Sequence, residues 1–254
     1  MSEKRTYTND ELVQQICDVE EIKYTMNRMC YYMDSEENRR MINELWVQEY
    51  DHRISASLGY NNGYYTGLDS VVSHLVVDRD DERYQNLKAR ADADSALENS
   101  SLNLGYGCAS MRTLTTPLVK VAEDGQSAQY MGYSLGFQSN GKPDGTADSY
   151  FLMDLIYADL VREENGWRIW HLVITHDHTM EVGENYSKTP VFGWEDPITP
   201  QFGTPDIQQE VYNPLYGWEY VYYDMPRKHY TYSERTSYGP NGQLGKPYYV
   251  RDDH

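Results

Sequence analysis

The run Tyr157-Ala158-Asp159-Leu160-Val161-Arg162-Glu163-Glu164-Asn165-Gly166-Trp167-Arg168-Ile169-Trp170-His171-Leu172-Val173-Ile174-Thr175-His176 constrains this chain more than any other stretch. Two apolar, β-branched and aromatic segments flank Glu-Glu-Asn-Gly, which predicts an antiparallel hairpin with Gly166 at the turn position that favours positive φ. Counting outward from the turn pairs Arg162 with Trp167, Leu160 with Ile169, Ala158 with His171 and Asp154 with Thr175. Side chains alternate along a strand, so one face would carry Asp154, Ile156, Ala158, Leu160, Ile169, His171, Val173 and Thr175. The other would carry Tyr157, Asp159, Arg168, Trp170 and His176. Both faces are largely apolar, so both are expected to be covered, and an ionisable group on either is a candidate for chemistry.

Upstream, Asp10 and Glu11 open a long helix in which Leu12, Ile16, Val19, Ile22, Met26, Met29, Cys30 and Met33 recur at three- and four-residue steps. Asp34 closes it, near the edge of that apolar stripe. With Glu37 it also fits a capping box for a second helix through Met41, Ile42, Leu45 and Trp46. Tyr50 to Leu58 alternates like a strand, Asn62-Gly63 turns it into Tyr64-Tyr65-Thr66, and Gly67-Leu68-Asp69 begins a third helix with Val71, Val72, Leu75 and Val76 on one face. His74 is expected beside that face, partly exposed. Residues 78 to 99 read as a solvated helical extension, 100 to 108 as a polar link, and Asn140 to Gly145 as a loop.

Asp124-Gly125 predicts a second hairpin, placing Thr115, Pro117, Val119 and Val121 beside Ala128, Tyr130, Gly132 and Ser134. Helices followed by four long antiparallel strands make an α+β fold, with the helices packed on one side of a curved sheet. Residues 179 to 254 hold 8 of the 10 prolines and 11 of the 25 tyrosines without a sustained period. Such a segment builds no core of its own, yet it is too aromatic for an ordinary disordered tail. It is expected to wrap over a domain spanning 1–178, or over a neighbouring subunit.

A net charge of −18 with a pI near 4.7 argues against nucleic acid and anionic membranes. The Met-Ser-Glu-Lys-Arg-Thr-Tyr start lacks a signal-like apolar core, and no apolar run approaches a membrane span, which together suggest a cytoplasmic protein. Cys17, Cys30 and Cys108 show neither a disulfide frame nor metal spacing and are expected to be reduced. Thr175-His176-Asp177-His178 invites a metal reading because alternate residues share a strand face, but no third ligand is specified. Twenty-five tyrosines against four phenylalanines suit semi-polar pockets and subunit interfaces.

Tyr31-Tyr32-Met33-Asp34-Ser35-Glu36-Glu37, Gly63 to Val71, Thr116-Pro117-Leu118-Val119-Lys120-Val121 before Gln126-Ser127-Ala128, and Tyr157-Ala158-Asp159 with Gly166-Trp167-Arg168-Ile169 together resemble the SnoaL-like group. That group belongs to the nuclear-transport-factor-2-like superfamily, with scytalone dehydratase, polyketide cyclases, ketosteroid isomerase and bile acid dehydratase. The resemblance covers roughly residues 10 to 178 and implies a cone-shaped α+β barrel, its curved sheet and helices enclosing one pocket. Such enzymes often pair an aspartate ending the first helix with a histidine at the start of the third long strand. Asp34 looks like that aspartate, while the histidine's place reads Ser110-Met111-Arg112-Thr113-Leu114.

Within such a cone Asp154 and His171 would line one wall with Asp34 near the rim, and these three are the candidate acid–base groups. Tyr32, Tyr50 and Tyr130 would stabilise a developing oxyanion, and Arg112 would hold a carboxylate or enolate. The expected activity is a cofactor-independent lyase or isomerase, of dehydratase type, on a small cyclic, aromatic or steroid-like substrate. No metal and no cofactor are called for, and a homo-oligomer, dimer or trimer, is expected. The competing reading is a non-catalytic ligand-binding or assembly module of the same fold.

Overall fold

The computed structural model describes residues 6–60, 63–78, 89, 109–141, 146–183, 205–208 and 223–243. The expected helical extension and polar link fall almost wholly outside these residues, as do Cys108, much of the tail and all of the expected Asn140 to Gly145 loop but its first two residues, which end a strand. The elements run α1 (Asn9–Asp34), α2 (Asn38–Leu45), α3 (Tyr50–Ser55), β1 (Ser57–Tyr60), β2 (Gly63–Thr66) and α4 (Leu68–Val72), the last continuing as a π-helix over Ser73–Asp78. Long strands follow: β3 (Ala109–Val121), β4 (Ser127–Gly141), β5 (Ala147–Glu163) and β6 (Gly166–Glu181), then a short β7 (Ile207–Gln208). One curved sheet has the order β3-β4-β5-β6-β1-β2-β7, antiparallel except where β1 runs parallel to β6. The fold is α+β, and no helix among the described residues is long and apolar enough to cross a membrane.

Thr8 caps α1 with Glu11 in a reciprocal capping box. Ile22, Met26, Met29, Cys30 and Met33 then face the sheet at helical spacing. The expected stripe began earlier, but Leu12 and Ile16 are exposed. The helix meets the β5–β6 turn near its middle, where Asp18 binds Arg162 at 2.6 Å and Glu21 accepts the Trp167 amide at 3.1 Å. Among the described residues, the turns before Asp18 outrun the sheet and leave Leu12, Val13 and Ile16 exposed. At that turn Gly166 has φ +103°, which favours glycine, and a Cβ there would also push aside the Glu21 carboxylate, 2.4 Å away at Oε1.

Residues 50–55 form a helix where the alternation predicts a strand. Glu163 accepts the amides of Gln48 (2.9 Å) and Glu49 (3.1 Å) and contacts His52 Nδ1 at 3.1 Å, so a distant carboxylate holds the start of α3 and overrides local propensity. His74, expected to be partly exposed, is buried and stacks on Tyr65 with ring centroids 4.0 Å apart.

The sheet separates two apolar clusters. On its inner face Ile156, Ala158, Leu160, Leu172 and Ile174 pack with Tyr130 against the helices. On its outer face Tyr157, Leu155, Val173 and Tyr64 pack against Tyr223 and Tyr238 of the C-terminal segment. Residues 223–243 thus lie on the sheet of their own chain.

Three bulges reset the strand registers. In β3–β4 the ladder shifts between Thr115 and Leu118, where Thr116 takes φ +49°, so Thr115 lies opposite Tyr133 instead of Ser134. In β5–β6 Leu160 faces Ile169 as counted, but Trp170 is then extra and His171 lies opposite Asp159. A further shift leaves Asp177 extra, between the pairs Asp154–His176 and Met153–His178. A single inserted residue exchanges the faces of everything beyond it.

Candidate functional site

The first β6 bulge overturns the expected placement of His171. It does not face inward with Asp154. It lies on the outer face beside Asp159, and His176 takes the inward place instead. The second bulge turns His178 outward again opposite Met153, so His176 and His178 do not share a face as the metal reading required.

On the inner face a polar row crosses adjacent strands. Ser134 of β4 lies opposite Asp154 of β5, and Asp154 lies opposite His176 of β6. His176 Nδ1 is 2.8 Å from Asp154 Oδ1, and the Asp154 side chain is 1% exposed. Held by an ionised Asp154, which can only accept, the ring would carry its proton on Nδ1 and its lone pair on Nε2. The Tyr60 ring of β1 stacks on His176 at 6.0 Å with the planes 14° apart. The hydroxyls of Ser134 and Tyr60 are buried with no hydrogen-bond partner among the described residues. Orphaned hydroxyls beside a buried carboxylate are costly unless water or a ligand satisfies them.

Tyr130 is buried on the same face of β4, with its hydroxyl lying over Gly132 in the direction of Ser134. A Cβ at position 132 would come within 2.7 Å of that oxygen. Burial raises the Tyr130 hydroxyl pKa well above the usual phenol range, so it remains a hydrogen-bond donor. Gly132→Ala is expected to displace the Tyr130 ring and cost about 1–3 kcal/mol in chemical denaturation, the usual penalty for overpacking. An unchanged midpoint would show that the ring has room to yield.

Asp34 lies at the other end of this face. Its carboxylate accepts the Arg112 amide at 2.9 Å and the Ser110 hydroxyl at 3.2 Å, and Arg112 Nη1 is 3.6 Å from it. This pins the end of α1 to the start of β3. The capping-box reading of Asp34 is overturned, because Glu37 is the residue at the N-cap of α2 and no side chain caps that helix. Cys30 lies within electrostatic reach of Arg112, Asp34 and Asp154, and burial pushes its thiol up to about 12, so it is neutral. Cys30 is an unforeseen neighbour of the site, and its place in the α1 stripe was the available signal.

Two expected members lie elsewhere. Tyr50 is exposed at the start of α3. Tyr32 donates to Glu44 at 2.6 Å in a cluster with Arg28 and Arg40 between α1 and α2. The hydrogen bond from Tyr32, with those from Arg40, holds the Glu44 carboxyl down at about 2. Among the described residues Glu49, His52 and Glu163 bring ligand-type atoms within 4.8 Å of one another, but Glu163 is already occupied in holding α3.

His171 belongs to a knot under the C-terminal segment. Its Nδ1 is 2.9 Å from Asp159 Oδ2 and 3.1 Å from Ser237 Oγ, and its Nε2 is 3.2 Å from the Ser55 carbonyl. Asp159 also accepts Ser237 Oγ and the Tyr238 amide, both at 2.7 Å, and Gln129 Nε2 at 3.2 Å. The residue types suggest a nucleophilic triad, but the geometry refuses it. Serine and aspartate meet the same ring nitrogen, and the other is occupied by a backbone carbonyl.

The SnoaL-like domain model matches residues 14–173. No curated protein matches by sequence. A solved structure provisionally assigned as a scytalone dehydratase, from Novosphingobium aromaticivorans, is 11% identical with a TM-score of 0.46, covering 70% of this chain and 95% of its own. A hexachlorocyclohexane dehydrochlorinase from Novosphingobium barchaimii is 9% identical with a TM-score of 0.44, covering 70% and 97%. An NTF2-like protein with a cystatin-like fold, also from N. aromaticivorans, is 17% identical with a TM-score of 0.40, covering 69% and 90%.

Proposed function

Because the chain belongs to the SnoaL-like domain family of the nuclear-transport-factor-2-like superfamily, we propose that it is a cofactor-independent lyase or isomerase acting on a small cyclic substrate held against the inner face of its sheet. The observation that carries this reading is the hydrogen bond between buried Asp154 and half-buried His176, set beside an apolar wall. Asp154 orients the imidazole and stabilises the cation formed when Nε2 takes a proton α to a carbonyl. The bonding pair moves into the enolate, whose oxygen receives hydrogen bonds from the Tyr130, Tyr60 or Ser134 hydroxyls. The imidazolium then returns the proton. Given to a departing β-hydroxyl it releases water, and given to another carbon it completes an isomerisation. Asp34 acts through Arg112, fixing a guanidinium at the rim for an anionic or carbonyl group. Flat walls at Tyr60, Tyr65 and His74 suit a ring.

The test needs no foreknowledge of the substrate. Cyclic ketones and β-hydroxyketones incubated in deuterated water should acquire α-deuterium, read by NMR, or gain enone absorbance. A panel in which no member exchanges faster than with His176→Gln would end the reading.

Self-association is favoured by a separate observation. Met111, Leu135 and Phe151 are exposed on the outer face, next to Thr113, Phe137 and Met153 across the ladders, and this strip, flanked by His178, bears no Asp, Glu, Lys or Arg on a chain of net charge −18. A second copy, which shares that charge, can approach only where charge is absent. Phe151→Glu is expected to shift the mass by light scattering towards the monomer. A mass unaltered by the substitution removes this surface from consideration.

A further inference from the structure

We propose that residues 237–239 act, through Asp159 and His171, as a positioning device that sets the register of β6 and thereby puts His176 beside Asp154. The inference rests on reading Asp154 and His176 as the proton-transferring pair, though its own content is geometric.

Two registers are open to β5–β6 once Leu160 and Ile169 are paired. The uninterrupted one sets His171 opposite Ala158 on the inner face and Thr175 opposite Asp154, leaving no histidine beside that carboxylate. The observed one bulges at Trp170 and brings His176 to Asp154. A bulge forfeits ladder bonding, so something must favour it, and the outer face supplies that.

Turned outward, His171 finds three oxygens: Asp159 Oδ2, Ser237 Oγ and the Ser55 carbonyl. Turned inward, it would sit among Ala158, Leu160 and Ile169 with its nitrogens unmatched. The C-terminal segment seals the outward choice. Gly239 lies flat on the imidazole, so close that a Cβ there would be 2.9 Å from Cε1. The Ser237 hydroxyl is held in turn by the Gly239 amide at 2.8 Å. Trp170, the bulged residue, stacks on His171 at 4.3 Å, meets the Tyr232 ring at a tilt with centroids 4.5 Å apart, and donates to Ser55 Oγ at 3.0 Å. The same half-turn of β6 that seats His171 under the C-terminal segment faces His176 into the site. Ser237 and Gly239 are therefore positioning residues for a group on the opposite side of the sheet.

The test reads the histidine rings of the full-length protein by 1H–15N correlation, with His176 assigned from His176→Gln. The wild type should show a proton on His176 Nδ1, as the bond to Asp154 requires. Gly239→Val puts a branched side chain where the His171 ring lies, and Ser237→Ala removes the hydroxyl that meets Asp159, His171 and the Gly239 amide, without adding volume. In both, the Nδ1 proton signal of His176 should be lost or split with a second species, and amides 171–176 should exchange faster with solvent. Lys228→Ala breaks the segment's 2.7 Å ion pair to Glu123, away from the knot, and should alter neither. An unchanged His176 signal in folded Ser237→Ala overturns the proposal. So does an equal loss in Lys228→Ala, since any loosening of the segment would then suffice. The readout is spectroscopic and does not depend on turnover, so altered spectra without exchange activity in the wild type would defeat the proposed function alone.

Discussion

Replacing His176 with glutamine is expected to lower α-proton exchange by roughly 10²–10⁴-fold, the range a positioned general base supplies. Glutamine keeps an N–H to donate to Asp154 but cannot take up a proton. The substitution therefore separates catalysis from the burial of the carboxylate, whose side chain is 1% exposed. Alanine would strand that carboxylate without its hydrogen bond and confuse the two effects. Thermal denaturation should consequently move little, while the rate falls in deuterium uptake and in enone formation alike. Full activity in a folded His176→Gln protein would return the search to Asp34, whose carboxylate is engaged with Arg112 and Ser110.

Asp159→Ala is expected to cost about 3–5 kcal/mol of unfolding free energy, the usual result of removing one partner from a buried ionic hydrogen-bonded cluster. Four donors converge on this carboxylate: His171 Nδ1, Ser237 Oγ, the Tyr238 amide and Gln129 Nε2. His171, Ser237 and Tyr238 are each at most 3% exposed, so water cannot easily replace it. A typical domain has only about 5–15 kcal/mol in all. Equilibrium unfolding in urea checks the figure, and a loss below about 1 kcal/mol would mean that the knot is solvated and weakly held. The Tyr64 hydroxyl, which meets Tyr223 and the Tyr238 carbonyl at 2.9 Å each, belongs to the same attachment. Loss of Asp159 is therefore expected to free residues 223–243 first, visible as early hydrogen exchange at the Tyr238 amide.

Much of this architecture was legible in the chain because it is written in short periods. The Gly166 turn, the Asp124-Gly125 turn and the Ile22 to Met33 stripe each depend on neighbours within a few residues, where chirality and alternation leave few choices. The α+β fold and the resemblance to the SnoaL-like group followed from such local signals. Asp154 was placed on the inner side for the same reason, being counted along β5 from the Gly166 turn, whereas Arg112 lies beyond the bulge at Thr116, which resets its face. Helix α3 escaped because the carboxylate that starts it, Glu163, is more than a hundred residues away.

The sequence by itself determined that two antiparallel hairpins and a methionine-lined helix would enclose an apolar wall bearing Asp154. Only the tertiary structure decided which histidine stands beside that carboxylate. Alternation has a period of two, so one bulged residue, Trp170, exchanges His171 for His176, and no local preference announces it. The groups that receive His171 on the outer face, Ser55, Asp159 and Ser237, are far apart in the chain and share one patch only in the folded protein.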